Sequence, residues 1–492
     1  MENNGHITQK KDFITLTSPI PLKLPPLKET AALFKADMPE MGDISLNMTR
    51  SGENLWRCDA AMGSVSAFFE EENPEYAAKG AIYSLLSEMT GAKKGWGSLT
   101  GVKPLKLFTN LIERGKSMKE AEDYMRKSFM VSEGKLGLLA ECYANQKGKL
   151  YPAENGALSL YIHIPLCPAR CSYCSFPSAV TSVGSFLCED YLCALLKEIA
   201  AIRELTADRH FDSIYIGGGT PSIFSNSQLE KLFDALEGFN KIGGRRNSKS
   251  KSEEFCEFQS EPACEFTFEG GRPDTLPADK LKLLKERGVS RISVNPQSAN
   301  DATLKAINRL NSFEDFARCM QRAQAAGFGD INCDLIFGLE EETPQDCLKS
   351  LNKIIALKPT CITLHTLCKK RTSDMEEAAL YKKEFPAALL QDEARERLRE
   401  EGYYPYYTYR QKNAVDSAEN TGYSLKGHEC IYNIRMMGEK QTIIAAGAGS
   451  TTKICYPETG RFENFYNPKN LKYYIEGIEG VVGRKKFTCG EF

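Results

Sequence analysis

From Leu158 to about residue 400, short apolar runs alternate with amphipathic helical stretches, which restricts the chain to a parallel sheet covered by helices. The predicted strands are Ser159–Pro165, Ser213–Gly217, Glu265–Glu269, Arg291–Asn295, Asn332–Phe337 and Cys361–His365. Between them lie helices such as Tyr191–Arg203, where Tyr191, Leu192, Leu195, Leu196, Ile199 and Ile202 repeat at helical spacing. Another carries Leu281 and Leu284 and stops before Gly288. Six βα units in series predict an α/β fold whose sheet curves into a partial (β/α)6 TIM-like barrel. Such barrels place their chemistry at the carboxyl ends of the strands, so the residues found there are the candidates for function.

The first strand runs through Leu160-Tyr161-Ile162-His163-Ile164 to Pro165 and is followed at once by Cys167, Cys171 and Cys174, spaced C-x3-C-x2-C. Four ligands close a structural zinc site or an ordinary iron–sulfur site, whereas three leave one metal position open for something that reacts. No second cysteine pair at zinc spacing follows. Cys188/Cys193 and Cys256/Cys264 are too widely separated for it.

The other strand ends carry polar residues or glycines. Gly217-Gly218-Gly219-Thr220-Pro221 follows the second strand, and glycines there let backbone approach a ligand closely. Glu269 closes the third strand, where burial of its charge calls for a cationic partner. Gln297 follows the fourth strand, Arg309 comes one helix later, and Asp334 lies inside the apolar fifth strand. Each is either a satisfied core polar group or a ligand contact. His163 and Tyr161 alternate with apolar neighbours and share one face of the first strand. His365 ends the sixth strand, ahead of Lys369-Lys370-Arg371. The two histidines are candidates for catalysis or for packing.

With 492 residues the chain is too long for one ordinary domain. Residues 1–150 read as a separate α+β unit of no assigned role, with strands at Ile44–Met48 and Leu55–Cys58 and helices from Glu75 to about Glu141. Within it, Gly95-Trp96-Gly97-Ser98-Leu99-Thr100-Gly101 reads as a packed turn or a substrate lid. Residues 155–400 form the barrel. Residues 401–492 form a small C-terminal substrate or closure region that opens with the aromatic-rich Tyr403 to Arg410. Lys241 to Ser260 is charged and aperiodic, as a solvated excursion would be. A net charge of −2 gives no footprint for nucleic acid, so an anionic partner would need local cations such as Lys369–Arg371, Arg410 and Lys412. No apolar run is long enough to span a membrane, and the polar start lacks a signal core. Seventeen irregularly spaced cysteines are not a disulfide framework, and a cytoplasmic location is expected.

The string Y-x-H-I-P-x-C-x3-C-x-Y-C, from Tyr161 to Cys174, resembles that of the radical-SAM (S-adenosylmethionine) family of oxygen-independent coproporphyrinogen III dehydrogenases and their relatives. The Gly217–Pro221 motif is similar to the family's GGGTP. Asn420-Thr421-Gly422-Tyr423, Tyr432-Asn433-Ile434 and Trp96–Val102 resemble the HemZ-type branch. The resemblance implies a [4Fe–4S] cluster on Cys167, Cys171 and Cys174. It also implies SAM contacts from Tyr161, Tyr173, Gly218, Gly219, Thr220, Glu269, Gln297, Arg309 and Asp334. In the implied reaction, one electron cleaves SAM to methionine and a 5′-deoxyadenosyl radical. This radical takes a hydrogen atom from a propionate, and loss of carbon dioxide and one electron leaves a vinyl group. The implied partners are a tetrapyrrole bearing carboxylates and an external electron donor of flavodoxin or ferredoxin type. Phe176 stands where the best characterised branch has a further cysteine. The haem-chaperone branch also lacks that cysteine, so a chaperone without dehydrogenase activity is the alternative, beside a radical-SAM enzyme with another substrate.

Overall fold

The computed structural model describes residues 7–149, 156–176, 178–239, 264–368, 385–456 and 459–489. The Lys241–Ser260 and Lys369-Lys370-Arg371 segments lie outside the described residues.

An N-terminal sheet is built from β1 (Ile7–Lys11), β2 (Ile14–Ser18), β3 (Ile44–Arg50), β4 (Trp56–Met62) and β5 (Val65–Glu71), in that order. β2 and β3 are parallel, joined through the helix Leu24–Ala32, and the other pairs are antiparallel. Alternate residues such as Ile44, Leu46 and Met48 turn inward on the helix Pro74–Thr90, whose first turn is capped by the Asn73 side chain. Helices Pro104–Glu113, Met118–Phe129 and Glu133–Gln146 follow.

The second sheet has eleven strands. Six parallel strands occupy its middle: β6 (Leu158–Ile164), β9 (Phe211–Gly218), β10 (Glu265–Gly271), β11 (Arg291–Val294), β12 (Asp330–Phe337) and β13 (Cys361–Thr366). They match the six expected strands to within a few residues. Their crossover helices include Phe186–Leu205, Asn226–Leu236, Phe313–Ala325 and Pro344–Ala356, the last three opened by reciprocal capping boxes at Ser225, Ser312 and Thr343. Two short strands, β7 (Leu166–Cys167) and β8 (Ala179–Val180), pair outside this sheet.

Residues after 400 extend the same sheet at both ends. β15 (Glu419–Ser424) adds antiparallel to β13 and β14 (Tyr404–Arg410) antiparallel to β15, while β16 (Ile443–Ala446) lies parallel to β6 and carries β17 (Thr451–Tyr456) and β18 (Arg461–Tyr466). The sheet runs β14-β15-β13-β12-β11-β10-β9-β6-β16-β17-β18, so the barrel is curved but open. The helix Ile431–Gly438 packs Tyr432 against Tyr161 and Tyr215 of β6 and β9. The amides of Ile431 and Tyr432 at the start of that helix donate to Glu265 at 2.9 and 3.1 Å, which meets two orphan donors with one carboxylate.

The N-terminal helices dock on this C-terminal edge. Gln146 donates to the Tyr406 carbonyl at 2.8 Å, and Lys135 meets Glu419 at 2.6 Å with both side chains buried. Trp96 is 2% exposed, and its indole N–H donates to the other Glu419 oxygen at 2.8 Å. A Cβ on Gly97 would stand 1.8 Å from the Phe129 carbonyl oxygen. The Gly95–Gly101 passage is therefore a packed turn and not a lid. Among the described residues no helix is long and apolar enough to cross a membrane.

Candidate active site

Strand alternation sorts the barrel's side chains into two environments. Leu160, Ile162 and Ile164 of β6 and Ile214 and Ile216 of β9 are buried in the layer beneath the crossover helices. Tyr161, Tyr215, Glu269, Ser293, Asn332, Asp334, Thr363 and His365 fall on the opposite face. They line a cavity of about 380 Å³.

The cysteine loop is pinned at both ends. The β7–β8 ladder pairs Cys167 with Val180, and the amides of Ala179 and Thr181 donate to the carbonyls of Pro165 and Cys167, each at 2.9 Å. Within the loop, the Cys174 amide donates to the Cys171 carbonyl at 3.1 Å, and Asn308 donates to the Arg170 carbonyl at 2.7 Å. Cys167 and Cys171 are buried, and the half-buried Cys174 reaches the cavity wall. Among the described residues no three His, Cys, Asp or Glu side chains gather tightly enough for a single metal ion. A cubane cluster makes a different demand, since each thiolate binds its own iron.

The glycines of β9 meet this loop at backbone distance. A Cβ on Gly219 would stand 2.6 Å from the Leu166 carbonyl oxygen and 2.9 Å from the Cys167 sulfur. On Gly218, at φ +121°, it would stand 2.2 Å from the His163 ring. No side chain fits, and what remains is a cradle of main chain beside the thiols. Thr220 Oγ1 donates to Cys167 Sγ at 3.4 Å.

Glu269 accepts from the Tyr215 hydroxyl on Oε1 and from the Gly218 amide at 3.1 Å on Oε2. Burial pushes its carboxyl up to about 7 against the pull of those two bonds, and the nearby Asp334 charge adds to the rise. None of the described lysines or arginines pairs with it, so the expected cationic partner does not come from them. Asp334 accepts from Asn332 at 2.8 Å and lies 3.7 Å from His365 Nε2. Gln297 adopts a left-handed φ of +70°, rare outside glycine. Its amide donates to the Asp334 carbonyl at 3.0 Å and its carbonyl accepts from Ile336 at 2.9 Å, while its Oε1 is buried without a partner. Strained backbone of this kind collects at ligand sites. Arg309 is buried and donates to the carbonyls of Gly271, at 2.7 Å, and Asn295.

Tyr161, Tyr173, Gly218, Gly219, Thr220, Glu269, Gln297, Arg309 and Asp334 all line the one cavity, and His365 joins them. His163 does not. It is 5% exposed beneath Gly218, its Nε2 has no partner, and burial lowers its pKa to about 4. Arg410 is not on an exposed rim either: it is buried and bonded to the carbonyls of Leu99 and Ser417. Lys412 is exposed and pairs with Glu29 at 2.5 Å.

Sequence reasoning missed the far wall. Tyr407, Tyr409, Asn420 and Asn433 line the same cavity, and Tyr432 stacks on Tyr215 at 4.4 Å beside Tyr161. Ser293, Asn295 and Asn332 were also missed. Ser293 donates to Asn295 at 2.6 Å and accepts from Asn332 at 3.0 Å. A polar residue at every second place of an otherwise apolar strand was the signal available for them.

Residues 161–354 match the Radical SAM superfamily. The chain is 35% identical to the oxygen-independent coproporphyrinogen-III oxidase-like protein HemZ of Bacillus subtilis, over 82% of this chain and 78% of that protein. It is 29% identical to the heme chaperone HemW of Haemophilus influenzae, over 65% of this chain and 76% of the other. Among solved structures, the Escherichia coli coproporphyrinogen III oxidase HemN, a radical SAM enzyme, superposes with a TM-score of 0.51 at 23% identity. It covers 66% of this chain and 70% of its own.

Proposed function

The chain belongs to the radical-SAM family of oxygen-independent coproporphyrinogen-III oxidase-like proteins, and from that premise we propose that it is a coproporphyrinogen III dehydrogenase. It would decarboxylate propionates oxidatively to vinyl groups and so give protoporphyrinogen IX. The observation that carries this reading is the convergence on one cavity of the cysteine loop, the glycine cradle and Glu269, which has no ion-pair partner among the described residues.

When bound, the [4Fe–4S] cluster and SAM supply the one-electron chemistry that starts hydrogen-atom abstraction. Cys167, Cys171 and Cys174 would hold the cluster. The Gly218–Gly219 backbone would admit the amino-acid end of SAM, with Glu269 for its ammonium. Gln297 and Asp334 would take its ribose hydroxyls, while Arg309 braces the Gly271 and Asn295 backbone. Tyr161, Tyr173 and Tyr215 exclude water, and Thr220 steadies the Cys167 thiolate. His365, next to Asp334, is placed to meet a substrate carboxylate, and His163 positions Gly218 from below. The reducing electron enters from an external flavodoxin- or ferredoxin-type donor.

The heme-chaperone reading is favoured by one feature: Phe176, exposed beside the cysteine loop, stands where a further cysteine would distinguish the dehydrogenases. An anaerobic assay with coproporphyrinogen III, SAM and a reductant separates the two. Carbon dioxide and protoporphyrinogen IX are expected. Stoichiometric haem binding with no carbon dioxide, at full cluster content, would transfer the assignment to the chaperone.

A further inference from the structure

A second cavity, of about 260 Å³, lies where the N-terminal unit meets the end of β14. Its walls come from the helix Leu24–Ala32, the Lys94–Val102 passage and the turn Gln411–Ser417. That turn is built at a conformational cost, since Asn413, Asp416 and Ser417 all hold φ between +50° and +61°. Asp416 is fixed in turn by the Ala388 amide, which donates to it at 3.0 Å.

Of the three cations in this cavity, two are answered by carboxylates. Lys412 pairs with Glu29 at 2.5 Å, and Lys94 pairs with Asp37 at 2.8 Å and Asp416 at 3.6 Å. Among the described residues Arg410 has no such partner. It is 7% exposed, spends two nitrogens on the carbonyls of Leu99 and Ser417, lies over the Trp96 ring at 5.6 Å and leaves Nε without any acceptor. Glu419, the nearest acidic influence on it, is already bonded to Lys135 and Trp96. A buried guanidinium without a counter-ion is costly unless something brings one.

The position of this cavity indicates what brings it. Along β14, Tyr407 and Tyr409 face the barrel cavity while Arg410 faces the second, and the next residue, Gln411, lines both. Resting on the coproporphyrinogen reading above, we infer that this cavity is a carboxylate subsite: it holds a remote propionate of the tetrapyrrole whose reacting propionate lies in the barrel, with Arg410 as counter-ion.

The test uses the anaerobically reconstituted full chain, with coproporphyrin III and its uncharged tetramethyl ester titrated by fluorescence. Wild type binds the acid more tightly than the ester. Arg410→Gln weakens the acid by about tenfold or more and leaves the ester unchanged, because hydrogen bonds to charged groups are worth about that factor. Arg410→Lys, which keeps the charge but loses the fork, recovers part of the difference. Since Arg410→Gln also unties two loops, Thr100→Glu is the second variant. It places a carboxylate inside the cavity, and it should remove the preference for the acid while raising the melting temperature. Either Arg410→Gln or Thr100→Glu retaining the full acid preference at normal cluster content overturns the inference. If coproporphyrinogen is turned over with an unchanged KM in Arg410→Gln, the subsite alone is refuted. If wild type binds neither porphyrin and releases no carbon dioxide, the dehydrogenase reading falls, and the subsite with it.

Discussion

The Tyr215 hydroxyl donates to Glu269 inside the barrel, and this bond joins the aromatic wall to a buried carboxylate that pairs with no cation among the described residues. Tyr432 stacks on the same tyrosine from the C-terminal helix, so the wall is assembled from residues 161, 215 and 432. The carboxylate's ionisation is set by this enclosure.

Burial raises Glu269 from its ordinary 4.5 to about 7. A carboxylate whose folded pKa is raised adds stability that is fully present below 4.5 and is lost as pH rises through about 7. Wild type should therefore lose melting temperature over that interval relative to Glu269→Gln. SAM affinity, measured calorimetrically, should rise over the same interval as the carboxylate ionises opposite the ammonium. A flat profile for SAM in wild type would contradict this pairing.

Asp334 accepts one bond from Asn332 and leaves its second oxygen toward His365 and the cavity. Asp334→Ala should weaken SAM by about tenfold to a hundredfold while iron content is kept, since a hydrogen bond to a charged group is worth roughly 1.5–3 kcal/mol. Equilibrium binding on the reconstituted protein reads the outcome directly.

The three cysteines have distinct settings, Cys167 and Cys171 buried and Cys174 half-buried, and equivalent roles are expected of them. Replacing any one of Cys167, Cys171 or Cys174 by Ala should abolish SAM cleavage and the cluster's visible absorption after anaerobic reconstitution. A variant with full iron, sulfide and SAM cleavage removes that residue from the ligand set.

Gly219→Ala tests the cradle without touching a ligand. The new methyl would press on the Leu166 carbonyl and the Cys167 sulfur, at 2.6 and 2.9 Å, and neither is the far end of a flexible side chain. Cluster yield and SAM binding should both fall, while far-UV circular dichroism stays as in wild type. Normal yield would mean that the two loops separate freely.

The parallel core was legible because Ile214, Ile216, Ile292 and Val294 are buried on one face and the helices between carry unmistakable periodicity. The cavity residues at the strand ends were legible for a different reason. Glu269 and Asp334 are charges in places where an apolar residue would be easier to bury. The far wall was not legible. Tyr407 and Tyr409 alternate with the buried Tyr406 and Thr408, so polarity gives no direction. Ile431–Gly438 is too short for its periodicity to reveal which side it presents. Arg410 reads from the sequence as a local cation for an anionic partner, and its packing against Trp96 and Leu99 is what buries it.

The strand that delivers the cysteines is an interior strand. β6 lies between β9 and β16, with Ser159 paired to Ile443 on one side and to Ser213 on the other. A growing chain leaving the ribosome would thus present the cysteine loop long before the strand that flanks β6 exists. Contacts so distant in sequence form late. Cluster loading is therefore expected only once β16 has been made and paired. A chain stopped at Lys440 should consequently fail to retain iron although it contains every cysteine of the loop, and its iron content measures how far the site depends on its last neighbour.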